Sequence, residues 1–240
     1  MARVSRFLCP QLPREGIFEL PPEEASHAIR VLRLKVGAEL IAFDGIGRSA
    51  RARIVNRERR SLKAEFIEEE PFQGLLSPRL SLMVAPPKGK RMAWLVEKAT
   101  ELGAERFVPL VCDHAEASRT QLERECESWR RKAVEACKQS RRARLPEFLE
   151  PRTPAELDAL PAPGVRRLIA HPEANLSLAR ASEGARDTHF QVAIGPEGGF
   201  SKAEVEALVS TGWEAVSLGQ QILRIETAAV AVAALLRLGL

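Results

Sequence analysis

Phe190-Gln-Val-Ala-Ile194 runs directly into Gly195-Pro-Glu-Gly-Gly-Phe200 and then Ser201-Lys-Ala-Glu204. The apolar run reads as a buried strand. Pro196 fixes its own φ, whereas Gly198 and Gly199 permit positive φ and let main chain approach a ligand with no Cβ in between. Ser201 and Glu204 have the spacing of a capping box, so a helix starts at once and leaves backbone N–H groups for a ligand acceptor. Val205, Leu208 and Val209 give that helix an apolar stripe, and Gly212 ends it. A strand, a glycine loop and a capped helix in succession indicate an α/β fold.

A second junction of similar build follows, Val216-Ser-Leu-Gly-Gln-Gln-Ile-Leu-Arg-Ile-Glu-Thr227. It sets Ile222 and Leu223 between Gly219 and the charged Arg224 and Glu226. Local physics leaves two readings open. The loops are tight turns with an Arg224–Glu226 ion pair at a helix start, worth about 1 kcal/mol or less. Alternatively they wall a site where apolar side chains and backbone polar groups hold a flat aromatic ligand. Neither loop is a Walker A or GxGxxG sequence, so phosphate or dinucleotide cradling is not indicated.

Outward from these loops the same rhythm continues. Strands are expected at Leu80–Val84, Phe107–Val111 and Arg167–Ala170, the second an edge or a bulge because of Pro109. Helices are expected at Lys88–Leu102, Gln121–Ser140 and Thr227–Leu238. The last is apolar on nearly every face and must be buried all round, centrally or at a subunit interface. The first 75 residues differ. Alternating runs at Gly37–Phe43 and Ser49–Val55 flank Asp44-Gly-Ile-Gly47, a strong hairpin signal. Leu62–Ile67 is a third strand and Pro22–Leu32 a short helix. The acidic, then Pro/Gly-containing stretch Glu68–Pro78 reads as a linker, which suggests domains of 1–72 and 73–240.

Composition is that of a globular chain, 45% apolar and 28% charged over 240 residues. No secretory signal or bilayer-length apolar run is apparent, so a cytoplasmic protein is expected, without a membrane partner. Cys9, Cys112, Cys126 and Cys137 are scattered, with neither CxxC pairs nor zinc-ligand spacing, so no metal is expected. Between Arg119 and Arg144, nine Lys/Arg face four Glu, whereas Leu145–Leu240 carries eight against twelve Asp/Glu. Such a basic segment suits a phosphate-rich partner, though an Arg-rich helix is also often a solvated face.

The two loops, taken with Val31-Leu-Arg-Leu-Lys-Val-Gly37, Pro87-Lys-Gly-Lys90, Glu97–Gly103, Val134–Ser140 and His171-Pro-Glu173, closely resemble the bacterial 16S ribosomal RNA (uracil-N3)-methyltransferases of the SPOUT class, RsmE type. The likeness spans almost the whole chain. It implies a small N-terminal PUA-like β-barrel domain for RNA and a C-terminal α/β domain threaded through a deep trefoil knot. It implies an S-adenosylmethionine site made by Ala170 and His171, by Gly195, Pro196, Gly198 and Gly199, and by Leu218, Gly219, Ile222, Leu223 and Arg224. It also implies a homodimer acting on 16S rRNA, in the small ribosomal subunit.

Within that likeness Arg224 is the candidate for stabilising charge on the uracil oxygens, and Glu197 for base or target orientation. Arg6, His27, Arg30, Arg33, Arg130, Arg131 and Arg141 are the candidate RNA contacts. Two rivals are a ribose 2′-O-methyltransferase of the same class and a non-catalytic RNA-binding or ribosome-assembly protein.

Overall fold

The computed structural model describes residues 4–159, 164–185 and 187–238, which form two compact units. The first comprises the residues up to Leu75 together with Val134–Leu145; the second comprises Leu76–Ala133 and the residues from Pro146 onward. The sequence division at 72 does not separate Val134–Leu145, which groups with the first unit by its packing. The helix Arg119–Ser140 carries two successive apolar stripes. Leu122, Cys126, Trp129 and Ala133 pack in the second unit, while Cys137 packs with Phe43 and Ala143 in the first.

Five strands form the first unit's sheet: β1 (Ser5–Leu8), β2 (Ile17–Glu19), β3 (Glu39–Phe43), β4 (Ser49–Arg57) and β5 (Leu62–Glu69), in the order β1-β3-β4-β5-β2. The Asp-Gly signal is a real hairpin: Asp44 Oδ1 accepts from the Ile46 and Arg48 N–H groups, and Phe43 faces Ser49 across the ladder. Ala42, Ala50, Ala52 and Ala64 line one face. Their small side chains let α1 (Pro22–Ser26) and the π-helical turn His27–Val31 that continues it lie close, burying Ala25, Ala28 and Ile29. Lys138, from the returning segment, reaches Glu24 at 2.7 Å with both side chains about nine-tenths buried.

The second unit is a six-stranded, all-parallel sheet. Its strands are β6 (Arg79–Val84), β7 (Arg106–Pro109), β8 (Glu147–Phe148), β9 (Val165–Ala170), β10 (His189–Ile194) and β11 (Glu214–Val216), in the order β11-β9-β10-β6-β7-β8. Every residue of central β10 is buried, as expected of a strand covered on both faces. Phe190, Val192 and Ile194 point into one core with α2 (Arg91–Glu101), α3 (Arg119–Ser140) and α6 (Ile225–Arg237). Ala193 and neighbouring Met83 point to the other, beneath α5 (Lys202–Ser210) and Trp213. The short α4 (Leu178–Ala181) was not expected from sequence.

One expectation changes. Pro109 marks neither an edge nor a bulge: it is the last residue of β7, which runs between β6 and β8, so the missing N–H falls where the ladder is ending. Within the single chain α6 buries Ala229, Val232, Ala233 and Leu236, while Val230, Ala231, Ala234 and Leu235 are half-buried and Leu238 is exposed.

Candidate functional site

The C-terminal ends of β9, β10 and β11, three adjacent strands, feed three loops that enclose one cavity of about 580 Å³. This is the position where parallel α/β sheets present ligand sites. Its walls are Ala170–Glu173, Ile194–Phe200 and Leu218–Ile225, closed by Ala228 of α6, with Gln220 not part of the lining. All eleven residues nominated from sequence for the cofactor lie on it, as does Glu197. His171 is fixed by its own backbone, its N–H donating to the Val216 carbonyl and its ring Nδ1 accepting from the Glu173 N–H. Ile222 is 86% exposed at the rim, an apolar side chain left uncovered by the described residues.

The glycine loop is held from behind. A Cβ on Gly198 would sit 3.2 Å from the Cβ of His114, whose Nδ1 lies 3.0 Å from the Gly199 carbonyl oxygen. Gly198 is thus needed for close packing rather than for positive φ; the positive value belongs to Gly199, at +75°. The capping box is present, and it occupies two of the donors at the helix start, the Ser201 and Glu204 N–H groups. Glu204 Oε2 accepts from the Ser201 N–H, and Ser201 Oγ accepts from the Glu204 N–H. Glu204 Oε1 also takes the Asp113 N–H, while Ser201 Oγ donates to Asp113 Oδ2 at 2.7 Å. The helix start therefore anchors the loop to the β7 side of the sheet.

The charged groups at the cavity differ from the sequence alternative of an Arg224–Glu226 pair. Arg91, at the start of α2, stands between two carboxylates, with Nη2 3.0 Å from Glu197 and Nη1 3.7 Å from Glu226. Glu226 is buried, and its Oε2 has no hydrogen-bond partner. Arg224 caps α6 from an extended conformation and is exposed, with neither an ion pair nor a side-chain hydrogen bond among the described residues. Its guanidinium is a free cation on the cavity wall. Arg91 was missed by sequence reasoning. The only signal was its position directly after Pro87-Lys-Gly-Lys90, because its partners lie far away in the chain.

The proposed RNA residues are dispersed. In the first unit Arg30 and Arg33 are exposed, while Arg6 stacks its guanidinium 5.3 Å from the Phe43 ring centre. Burial lowers the Arg6 pKa, and two of its nitrogens lack hydrogen-bond partners. His27 is half-buried, its ring edge-on to Phe7. Arg141, exposed at φ +63°, belongs to this unit as well. In the second unit Arg131 is exposed, whereas Arg130 donates to the Phe148 carbonyl and lies over that ring.

All four cysteines are buried and free, and burial pushes the Cys9 and Cys137 thiols up to about 12 and about 11. Such thiols are poor nucleophiles. No helix among the described residues is long and apolar enough to cross a membrane.

Residues 76–237 match the family described as RNA methyltransferase domain, and residues 20–67 match the RNA methyltransferase PUA domain. A protein of Mycobacterium bovis named ribosomal RNA small subunit methyltransferase E is 31% identical, covering 93% of this chain and 87% of its own length. A crystal structure of the Neisseria gonorrhoeae protein of the same name, bound to S-adenosyl methionine, superposes with a TM-score of 0.87 at 27% identity, covering 97% and 96% of the two chains. A Legionella pneumophila protein described as a putative methyltransferase in complex with SAM gives 0.90 at 27% identity, covering 99% and 98%.

Proposed function

Because the chain belongs to the ribosomal RNA small subunit methyltransferase E family, we propose that it transfers a methyl group from S-adenosylmethionine to N3 of a uridine in 16S ribosomal RNA. The observation that carries this reading is the single cavity between the loops after β9, β10 and β11, with an unpaired arginine on its wall. Its volume of about 580 Å³ lies within the usual range for small-molecule sites. Leu218, Ile222 and Leu223 suit an adenine ring, and glycines at 195, 198, 199 and 219 keep the backbone open to polar contacts. His171 contributes the remaining wall.

The cofactor, when bound, supplies an electrophilic methyl group on a sulfonium centre. The chain's own part is to hold the uracil imide in line and to lower the cost of losing its proton. Arg224 stabilises the negative charge that spreads onto the carbonyl oxygens as the N–H bond breaks. Glu197, fixed by Arg91, orients the imide or accepts that proton. Arg91 also neutralises Glu226, which keeps the start of α6 and therefore Arg224 in position.

The first unit and the basic surfaces engage the RNA, in the assembled small subunit. The half-buried face of α6 supports a homodimer, in which a second copy covers Val230, Ala231, Ala234 and Leu235. The resemblance that names the SPOUT class also implies a trefoil knot. A cytoplasmic location follows from the substrate. Incubation with cofactor labelled on its methyl group tests the reading: label should enter 16S RNA within small subunits. Cofactor that neither binds in calorimetry nor transfers its label would end it.

A further inference from the structure

A second concave surface lies wholly in the first unit. Ile29, Arg30, Arg57, Glu58 and Arg59 line a groove of about 590 Å³, formed where the π-helical turn meets the tip of the β4–β5 hairpin. Three arginines of the same unit are matched: Arg48 with Glu69, Arg51 with Glu68 and Glu70, and Arg53 with Glu39. Arg30, Arg57 and Arg59 in the lining, and Arg33, Lys35 and Arg60 close to them in sequence, are all exposed, and none forms an ion pair among the described residues. Glu58 is the one carboxylate in the lining. Like charges gathered without partners raise one another's energy, so the cluster is stabilised by an anionic ligand.

The backbone gives an independent sign. The chain forms a π-turn at His27–Val31, an arrangement frequent at functional sites. Two residues later Arg33 adopts φ +52°, which L-residues other than glycine seldom occupy. The strain turns the chain so that Arg30 and Arg33 stay exposed while Leu34 tucks against the core. Such strain points toward function rather than stability.

We propose that this groove is a docking site for the RNA phosphodiester backbone, gripped between the hairpin-tip arginines and those of the π-turn. The proposal rests on the reading of the chain as an RNA methyltransferase and adds where the first unit holds its substrate. The contact is electrostatic and indifferent to base sequence, so it fixes the RNA without choosing the uridine. Arg57 and Arg59 are newly assigned here, and Arg30 and Arg33 acquire a shared role with them.

The test compares two double variants that remove the same charge from the same hairpin, R57Q/R59Q and R51Q/R53Q. Each is titrated with unmethylated small subunits and with naked 16S RNA over a range of potassium chloride, alongside calorimetry with S-adenosylmethionine. R57Q/R59Q should bind RNA about tenfold or more weakly at moderate salt, with its log–log salt slope shallower by roughly 1.5, since each lost phosphate contact removes about 0.7–0.9. Cofactor affinity and kcat should match the parent while KM for RNA rises. R51Q/R53Q should bind as the parent does.

Equal losses in both variants would show that net charge alone matters and overturn the proposal, as would no loss in R57Q/R59Q. A loss on subunits with none on naked RNA would assign the groove to an acidic protein surface instead, and overturn it too. If the parent itself neither binds RNA nor transfers methyl, the functional reading falls with it. If the parent methylates and R57Q/R59Q is unchanged, only the groove assignment falls.

Discussion

The two sheets of this chain deploy their functional groups by opposite means. In the parallel sheet, chemistry follows from topology. Three adjacent strands end together, their loops meet over one cavity, and the charged groups there are organised, Arg91 being shared by Glu197 and Glu226 while Arg224 is left free. In the five-stranded sheet no set of strand ends converges. Its conspicuous feature is a charge imbalance at one hairpin tip and one strained turn, whereas Arg48 and Arg53 on the same hairpin are paired. A pocket for a small molecule needs convergent loops, whereas a grip on a polyanion needs unpaired cations on an exposed ridge. Substitutions should separate these two logics.

The sharpest separation is expected at Arg224. Arg224→Ala should lower methyl transfer by roughly 10²–10³-fold, the usual scale for removing one group that stabilises developing charge. RNA affinity should stay near that of the parent, as measured by single-turnover transfer beside a binding titration. Full activity in that variant would remove Arg224 from the chemistry.

In the first unit the largest effect should instead be structural. Lys138→Met leaves Glu24 buried and unpaired, at a cost of roughly 3–4 kcal/mol in urea unfolding. Adding Glu24→Gln should recover much of the loss, because burial already pushes the Glu24 carboxyl up.

The parallel sheet also carries a titrating group away from its loops. Burial, then Arg79 and Arg106, lower the His189 imidazole to about 4, and its Nε2 lies 2.8 Å from Ser81 Oγ. Its folded pKa is below the unfolded value of about 6.5, so protonation favours the unfolded chain. The stability it contributes is therefore complete above pH 6.5 and lost as pH falls toward 4, by roughly 3 kcal/mol at most. Unfolding curves of the parent should show this decline, and those of His189→Gln should be flatter over the same window. Parallel curves would reject the assignment.

The smallest effect concerns Arg91. Arg91→Ala should reduce kcat by about tenfold, on the scale of general acid–base positioning, as Glu197 loses its partner. Arg91→Lys should restore part of the rate. A change in KM alone would make Arg91 a binding rather than a positioning residue.

Much of this was legible locally. The Gly195–Glu204 junction declared its strand, loop and capped helix through short-range rules, and Asp44-Gly45 declared its hairpin in the same way. What stayed hidden was tertiary. Arg91 meets Glu197 across 106 positions, and no periodicity marks such a pair. The tie of the α5 start to Asp113, which arrives from the β7 side and joins Glu204 and Ser201, has no local signature either. One helix with two stripes cannot announce that they serve different cores, so the grouping of Val134–Leu145 with the first unit had no signature in the sequence. Strands as short as β2 and β8 offer too few residues for alternation to register. The resemblance to a known family supplied the cofactor, which spacing alone had left as one of two readings.

The central claim is that the three-loop cavity serves methyl transfer to a uracil nitrogen. Small subunits lacking the modification, treated with this protein and S-adenosylmethionine, can be digested to nucleosides and separated by mass spectrometry. The account predicts one new product, N3-methyluridine, that disappears with Arg224→Ala. A ribose 2′-O-methyl nucleoside, or no methylated nucleoside from a protein that binds the cofactor, would contradict it.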